Sequence, residues 1–156
     1  TELFALERAF ILLADQLTDP IKHQTIALLD IGATTCSLNI LYQGKSIYSR
    51  EQLFSSQLSS EDPVEFINSI KQQVARLLQF FVIATDSHPI DAIMLSGGCA
   101  VIDGFKPLLA SDFKLPVYIA NPFSQLTLSP RINSQALNYD AAKLTIACGL
   151  ALRSFD

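Results

Sequence analysis

Two short turns carry the residue types in this chain that are best suited to chemistry. The first turn starts at Asp30 and continues through Gly32, Ala33, Thr34 and Thr35. Glycine permits backbone torsions that aim successive N–H groups into one concavity, which suits phosphate oxygens, and the threonines add hydroxyl donors. Asp30 is suited to hold a magnesium ion through water, because Mg²⁺ keeps much of its hydration shell. The turn indicates phosphate binding; the alternative is an ordinary hairpin whose aspartate bonds its own turn amides.

The second turn contains Gly97, Gly98 and Cys99, and it links a short apolar run to a predicted helix. Paired glycines let the backbone approach a flat or charged ligand, and helix amides can neutralise a phosphate. Because neither glycine has a side chain, close packing of a helix on a strand is an equally good interpretation. The second turn alone therefore predicts ligand contact as one of two possibilities.

The histidines and cysteines favour structural roles. His23 and His88 fall in predicted loops, without a serine or cysteine at a recognisable catalytic spacing. Cys36, Cys99 and Cys148 form no C-x-x-C pair and have no histidine nearby, so a metal site is not expected. Buried, reduced thiols are the prediction for all three.

A nuclease of the two-metal type needs several carboxylates that meet around the metals. Only Asp30 follows a strand with a suitable turn, and no pattern brings Glu51 or Asp91 to it. Nuclease activity is therefore not expected.

The composition excludes further classes of protein. Of 156 residues, 49% are apolar and 17% are charged, so the chain is expected to bury a core. The 11 Lys and Arg residues against 15 Asp and Glu residues give a net charge of −4, and no basic cluster offers a nucleic-acid footprint. No apolar run is long enough for a membrane span. The opening Thr1-Glu2 is typical of an internal segment of a longer protein.

Periodicity and turn residues predict the elements that must position these turns. A continuous apolar run predicts a strand buried on both faces at residues 25–31, and a 3.6-residue stripe predicts a helix at 63–84. A final helix at 141–153 is apolar on nearly every side, so we expect it to be deeply packed. The remaining predictions are a helix at 2–17 stopped by Pro20, strands at 37–41, 45–53, 92–95 and 116–120, a helix at 103–113, and loops at 55–62 and 121–136.

This order of elements indicates one α/β domain over residues 1–156. Three antiparallel strands followed by alternating helices and strands are the pattern of the ribonuclease H-like fold, which actin-like ATPases use in each half. The prediction is a mixed five-stranded sheet with helices on both faces.

The two turns together look like the phosphate-2 and adenosine motifs of actin-like ATPases. Over almost its whole length, the chain further resembles the C-terminal lobe of the PilM family, cytoplasmic actin-like proteins of type IV pilus assembly. The segments that carry this resemblance are FALERAF at 4–10, DIGAT at 30–34, SIYSREQLF at 46–54, QQVARLLQFF at 72–81, ANPF at 120–123 and IACGLALRSFD at 146–156.

The resemblance implies a nucleotide site with ATP and magnesium as cofactors of the parent protein. Asp30, Gly32, Ala33 and Thr34 would face the β- and γ-phosphates and the magnesium ion, with Asp30 as the metal residue. Residues 97–99 would lie near the α-phosphate, the ribose or the base.

The resemblance also implies a location and partners. The parent protein would be a cytoplasmic scaffold, peripheral to the inner membrane and not inserted in it. There it would bind the tail of a PilN-like membrane protein through its N-terminal lobe, and it would contact the motor components of pilus assembly.

Two departures from the family pattern lower the expected activity. The N-terminal lobe is absent, and a long family insertion that roofs the adenine pocket is here only residues 55–71, with a linker at 55–62. We therefore expect poor ATP binding, no hydrolysis by this chain, and an uncovered apolar surface that favours self-association. The alternatives are an active actin-like ATPase fragment and the related cytoplasmic component of a type II secretion system.

Overall fold

A five-stranded mixed sheet forms the centre of the structure, a computed structural model that describes residues 2–17, 24–53, 62–85 and 89–152. The helices are α1 (Glu2–Leu13), α2 (Pro63–Ala84), α3 (Phe105–Phe113), α4 (Ser134–Asp140) and α5 (Thr145–Ala151). The strands are β1 (Thr25–Ile31), β2 (Thr35–Tyr42), β3 (Lys45–Leu53), β4 (Ala92–Ser96) and β5 (Val117–Ile119). Single 3₁₀ turns cover Ala14–Gln16, Gly98–Val101 and Ala141–Leu144.

The strand order β3-β2-β1-β4-β5 places the strand with the Asp30 turn in the middle of the sheet. β1 pairs antiparallel with β2, and β2 with β3, whereas β4 runs parallel to β1 and β5 parallel to β4. The carboxyl ends of β1, β4 and β5 therefore lie at one edge of the sheet, which is where ligands bind in many open α/β sheets.

The core has two apolar layers because β1 is buried on both faces. Ala27, Leu29 and Ile31 belong to one cluster, together with residues of α2 and α3. Ile26 and Leu28 belong to a second cluster, together with residues of α1. Successive strand residues point to opposite faces, so the continuous apolar run serves both layers. The predicted sheet with helices on both faces is confirmed.

The long helix α2 begins and ends where its sequence specifies. The Asp62 carboxylate accepts a hydrogen bond from the Val64 N–H at 3.0 Å, and Pro63 occupies the first turn, where its missing N–H costs nothing. At the far end, the Thr85 hydroxyl donates to the Phe81 carbonyl at 2.8 Å. The buried residues of the helix are Ile70, Val74, Leu77, Leu78 and Phe81.

The predicted loop at 121–136 is wrong at its end, because α4 starts at Ser134. The Asn133 side chain accepts hydrogen bonds from the N–H groups of Gln135 and Ala136, at 3.0 and 3.2 Å, and so caps the helix. Helix α3 also starts later than predicted. Gly104, in the left-handed region with φ +83°, separates it from the preceding 3₁₀ turn.

The prediction of a deeply packed final helix is also wrong. In α5 the buried residues are Thr145 and Gly149, while Leu150 is 46% exposed. A Cβ atom on Gly149 would lie 1.8 Å from the carbonyl oxygen of Ala5 in α1. Small residues therefore define the packed face, because they let the two helix backbones come into contact.

Some predictions lie outside the described residues. These are His23, His88, Pro20, the end of the last helix at Arg153, and all of the 55–62 linker except Asp62. In the described ranges, no helix combines the length and the apolar character needed to cross a membrane.

Replacing Gly149 by alanine should destabilise the protein, because the new methyl group meets the Ala5 backbone and forces the helices apart. We expect a loss of about 3 kcal/mol in the free energy of unfolding, measured by urea denaturation. The matched control is Gly98→Ala, because no atom lies within 4 Å of its Cβ position. The control should change stability by less than about 0.5 kcal/mol. Equal losses in the two variants would contradict this packing.

Candidate functional site

The two glycine turns meet at the edge where β1 and β4 both end. In the parallel register, Asp30 lies beside Ser96, the last residue of β4. A Cβ atom on Gly97 would lie 2.5 Å from the carbonyl oxygen of Ile31, so the two backbones touch at this point. Two segments that are more than 60 residues apart in the sequence therefore form one site.

The Asp30 carboxylate is hydrogen-bonded to a side chain of the neighbouring strand β4. The Ser96 hydroxyl donates a hydrogen bond to Asp30 Oδ1 at 2.7 Å, and Ser96 is fully buried. A hydrogen bond to a carboxylate is about twice as strong as one between neutral groups. Sequence analysis missed Ser96, because only the β1–β4 register identifies it.

The first turn is closed by its own backbone and open to solvent at its tip. The Gly32 N–H donates to the Thr35 carbonyl at 2.9 Å, as in a hairpin turn. Ala33 and Thr34 are exposed, and Thr35 is half-buried. The turn is thus a β1–β2 hairpin connection that leaves the Thr34 side chain exposed to solvent.

The two glycines of the second turn have different surroundings. Gly97 has φ +87°, and its N–H donates to the Ala142 carbonyl at 2.8 Å, so it serves close packing. Gly98 is exposed, and the space beside it is open. Close packing therefore accounts for Gly97, and the space beside Gly98 leaves room for a ligand; whether either glycine contacts a ligand stays a prediction.

The cysteines near the site are neutral thiols. The pKa of Cys36 is raised to about 12, mainly by burial and to a smaller extent by the nearby Asp30 carboxylate and Cys99. Burial and Asp30 also raise the pKa of Cys99, whose Sγ lies 3.6 Å from the Gly32 carbonyl oxygen. Both side chains are buried, and Cys148, whose pKa is also raised by burial, is half-buried. Thiols that stay protonated are poor metal ligands and nucleophiles.

A magnesium ion at Asp30 would need most of its ligands from water and phosphate. The described part of the chain contains no cluster of three or more His, Cys, Asp or Glu side chains that could hold a metal. Mg²⁺ commonly binds through one or two carboxylates and substrate phosphates, with several waters retained, so a single carboxylate at this edge fits the ion.

Neither Glu51 nor Asp91 is a direct neighbour of Asp30 in the sheet. Glu51 pairs with Ser37, which pairs with Asp30, so two strand spacings of about 4.8 Å each separate the two acidic residues. The Asp91 carboxylate accepts a hydrogen bond from the Thr25 N–H, at the opposite end of β1. That no nuclease centre forms stays a prediction.

The comparisons with known proteins identify the family. The sequence model of the type IV pilus assembly protein PilM matches residues 1–65 and 60–155, which is nearly the whole chain. The chain belongs to the PilM family. Its two matched segments overlap at residues 60–65, a range that includes the first residues of α2.

Solved structures show that this PilM-family chain has the actin-like fold. It is similar to a chain of a PilM–PilN type IV pilus biogenesis complex, with a TM-score of 0.72 and 24% identity over 96% of this chain and 50% of that one. It also resembles the ethanolamine utilization protein EutJ from Carboxydothermus hydrogenoformans, with a TM-score of 0.59 and 15% identity over 98% of this chain and 53% of that chain. A third similar structure is MreB5 of Spiroplasma citri bound to AMPPNP, with a TM-score of 0.54 and 13% identity over 94% of this chain and 57% of that chain.

The chain spans about half the length of each of these three solved structures. The predicted resemblance to PilM and the predicted actin-like, ribonuclease H-like fold are confirmed.

The contact between Gly97 and Ile31 predicts that Gly97→Ala disrupts the meeting of the two turns. Gly44 also has a positive φ, +81°, but open space around it, so Gly44→Ala measures the cost of backbone strain alone. We expect about 1 kcal/mol for Gly44→Ala and about 3 kcal/mol or more for Gly97→Ala in urea unfolding. Similar losses would show that the two backbones do not touch.

Cys36 predicts how stability changes at high pH. Its pKa is raised on folding, from 9.0 to about 12, so the unfolded chain loses the thiol proton first. The contribution of Cys36 is complete below pH 9 and is lost as the pH rises toward 12, by at most about 1.4 kcal/mol per pH unit.

Cys36→Ala should therefore lower stability at pH 7 but flatten its decline between pH 9 and 12, measured by chemical denaturation. Cys148→Ala is the control with a less buried thiol. An unchanged alkaline slope in Cys36→Ala would refute this assignment.

Proposed function

We propose that this PilM-family chain acts in type IV pilus assembly as one lobe of an actin-like scaffold, and that its paired turns form half of a nucleotide site. The observation that carries the proposal is the convergence of residues 30–35 and 97–99 at one sheet edge, where Asp30 and Ser96 are hydrogen-bonded at 2.7 Å. Membership of the PilM family supports a role in pilus assembly over one in type II secretion.

The chemistry of the site suits a magnesium-bound triphosphate. Asp30 would hold the ion through water, and the exposed Thr34 hydroxyl would donate to phosphate oxygens. The open space at Gly98 lets a ligand approach the backbone closely. Magnesium would neutralise charge on the phosphates; the residues of this chain would orient the ion and the phosphate oxygens.

Half of a site binds weakly. The chain spans about half of its structural relatives, and its family match divides at residues 60–65, where the shortened connection was expected. A nucleotide without a second phosphate loop and an adenine roof loses contacts, and a loss of about 4 kcal/mol weakens binding roughly a thousandfold. We therefore propose millimolar affinity for Mg-ATP and no hydrolysis by this chain, because hydrolysis needs groups that clamp the phosphates from both sides.

An NMR titration of the ¹⁵N-labelled 156-residue chain with Mg-ATP tests this proposal. Amide shifts should saturate in the millimolar range and cluster at residues 32–35 and 97–99. Asp30→Asn should weaken binding about tenfold, the order of one charge-assisted contact. Asp91→Asn is the matched control at the other end of β1, where an amide oxygen can still accept from Thr25.

The proposed site is refuted if the shifts lie elsewhere, or if Asp30→Asn and Asp91→Asn bind alike. A measurable release of phosphate that Asp30→Asn abolishes would instead favour the alternative of an active ATPase fragment.

The partner proposed for the parent protein is a PilN-like membrane protein at the cytoplasmic face of the inner membrane. Its support is the similarity to a chain from a PilM–PilN complex. We place the site for the PilN tail, and contacts with the motor components, in the parent assembly rather than in the turns described above. A PilN tail peptide should therefore bind this chain no better than a scrambled peptide in fluorescence anisotropy.

Self-association is proposed from two exposed apolar residues. Leu53, at the end of β3, is 72% exposed, and Val64, at the start of α2, is 65% exposed. Both flank the connection where the family match divides. Light scattering should show a mass that grows with concentration and shrinks in Leu53→Ser, whereas Ile11→Ser, on α1, serves as the control. A constant monomer mass would contradict the proposal.

A further inference from the structure

Ser96 combines two properties that call for an explanation. Strand β4 reads Ala-Ile-Met-Leu-Ser, so Ser96 is its single polar residue, and it is fully buried. A buried hydroxyl is unfavourable unless it is hydrogen-bonded. Two other residues on the same face of this strand, Ala92 and Met94, belong to the apolar cluster packed on α1. Packing alone would therefore be served by an apolar residue at this position.

The hydroxyl of Ser96 is directed to the carboxylate. Ser96 Oγ lies 2.7 Å from Asp30 Oδ1 and 3.5 Å from the Leu29 carbonyl oxygen. A hydroxyl has one proton to donate, and the shorter, charge-assisted contact takes it. Both ends of this hydrogen bond are on strands held in parallel register, so the sheet itself brings the Ser96 hydroxyl to Asp30 Oδ1.

We propose that Ser96 is a positioning residue that holds the Asp30 carboxylate in the orientation that receives a divalent cation bound to phosphate. This inference rests on the proposed function, since it concerns the same site. The hydrogen bond from Ser96 to Oδ1 restricts the side-chain torsions of Asp30 before the ion arrives. Pre-organisation of this kind improves binding by lowering the entropy lost on association.

Loss of the Ser96 hydroxyl should reduce the gain in ATP affinity that the metal ion provides, and should leave metal-free ATP binding unchanged. The test measures the affinity of the full chain for ATP with Mn²⁺ and for ATP with EDTA, and takes their ratio. Ser96→Ala should lower this ratio on the order of tenfold, as expected for one hydrogen bond to a charged group. A purely structural defect would weaken both measurements and leave the ratio unchanged.

Two further variants keep the test decisive. Ser46→Ala removes a hydroxyl that bonds the Asn39 side chain in the β2–β3 hairpin, away from Asp30, and should leave the ratio unchanged. In an Asp30→Asn background, Ser96→Ala should have no further effect on the ratio, because the partner carboxylate is gone. Urea unfolding of each variant shows that the ratios refer to folded protein.

The outcomes separate this inference from the proposed function. A ratio that falls in both Asp30→Asn and Ser96→Ala, without additivity, supports the positioning role. A ratio that falls in Asp30→Asn but not in Ser96→Ala overturns the role of Ser96 and leaves the proposed function standing. A ratio that is the same in wild type and Asp30→Asn overturns the proposed function, and the inference with it.

Discussion

The parallel pairing of β1 with β4 is the constraint on which the candidate site depends. It brings the carboxyl ends of two strands together, sets Asp30 beside Ser96, and presses Gly97 against the Ile31 backbone. The apolar run of β1 is buried by helices on both faces, so the register of this strand cannot slip without moving its side chains to the wrong layer. The relative position of the two turns is therefore fixed by the packing of the whole core, not by contacts within the turns alone.

Burial at this edge controls the electrostatics as well. The thiols of Cys36 and Cys99 stay protonated because their surroundings disfavour a charge and because Asp30 is already negative. The Asp30 carboxylate is the group to which the proposed function assigns the cation. At the same edge, Gly98 and Thr34 are exposed to solvent. The Asp30 carboxylate, in contrast, accepts a hydrogen bond from the buried Ser96 hydroxyl.

Much of the fold could be predicted from the sequence where local signals and burial agree. The run from Thr25 to Ile31 and the stripe from Pro63 to Ala84 gave the observed bounds, since a turn or a cap closes each of them. Helix α4 was missed because it buries no residue and so has no apolar stripe. The packing of α5 was wrongly predicted because the prediction followed hydrophobicity, and the leucines in and next to this helix are exposed. The buried face instead contains Gly149, which has no side chain to keep the backbone of Ala5 away.

In the candidate site, too, some residues could be proposed from the local sequence and others could not. Asp30 and both glycine turns could be proposed from residue type, because a carboxylate and glycines after buried strands suit phosphate binding, although they also suit an ordinary hairpin or close packing. Ser96 and the different surroundings of Gly97 and Gly98 depend on a contact between segments more than 60 residues apart, which no local pattern reveals.

The central claim is that the two turns form one site for a metal-bound phosphate. Paramagnetic broadening by Mn²⁺ in the presence of ATP tests it most directly, because broadening falls off steeply with distance from a single ion. The account predicts strong broadening of amides in both turns, residues 32–35 and 97–99, and little at residues 45–48 in the distant β2–β3 hairpin. Broadening confined to one turn, or centred on another surface, would contradict it.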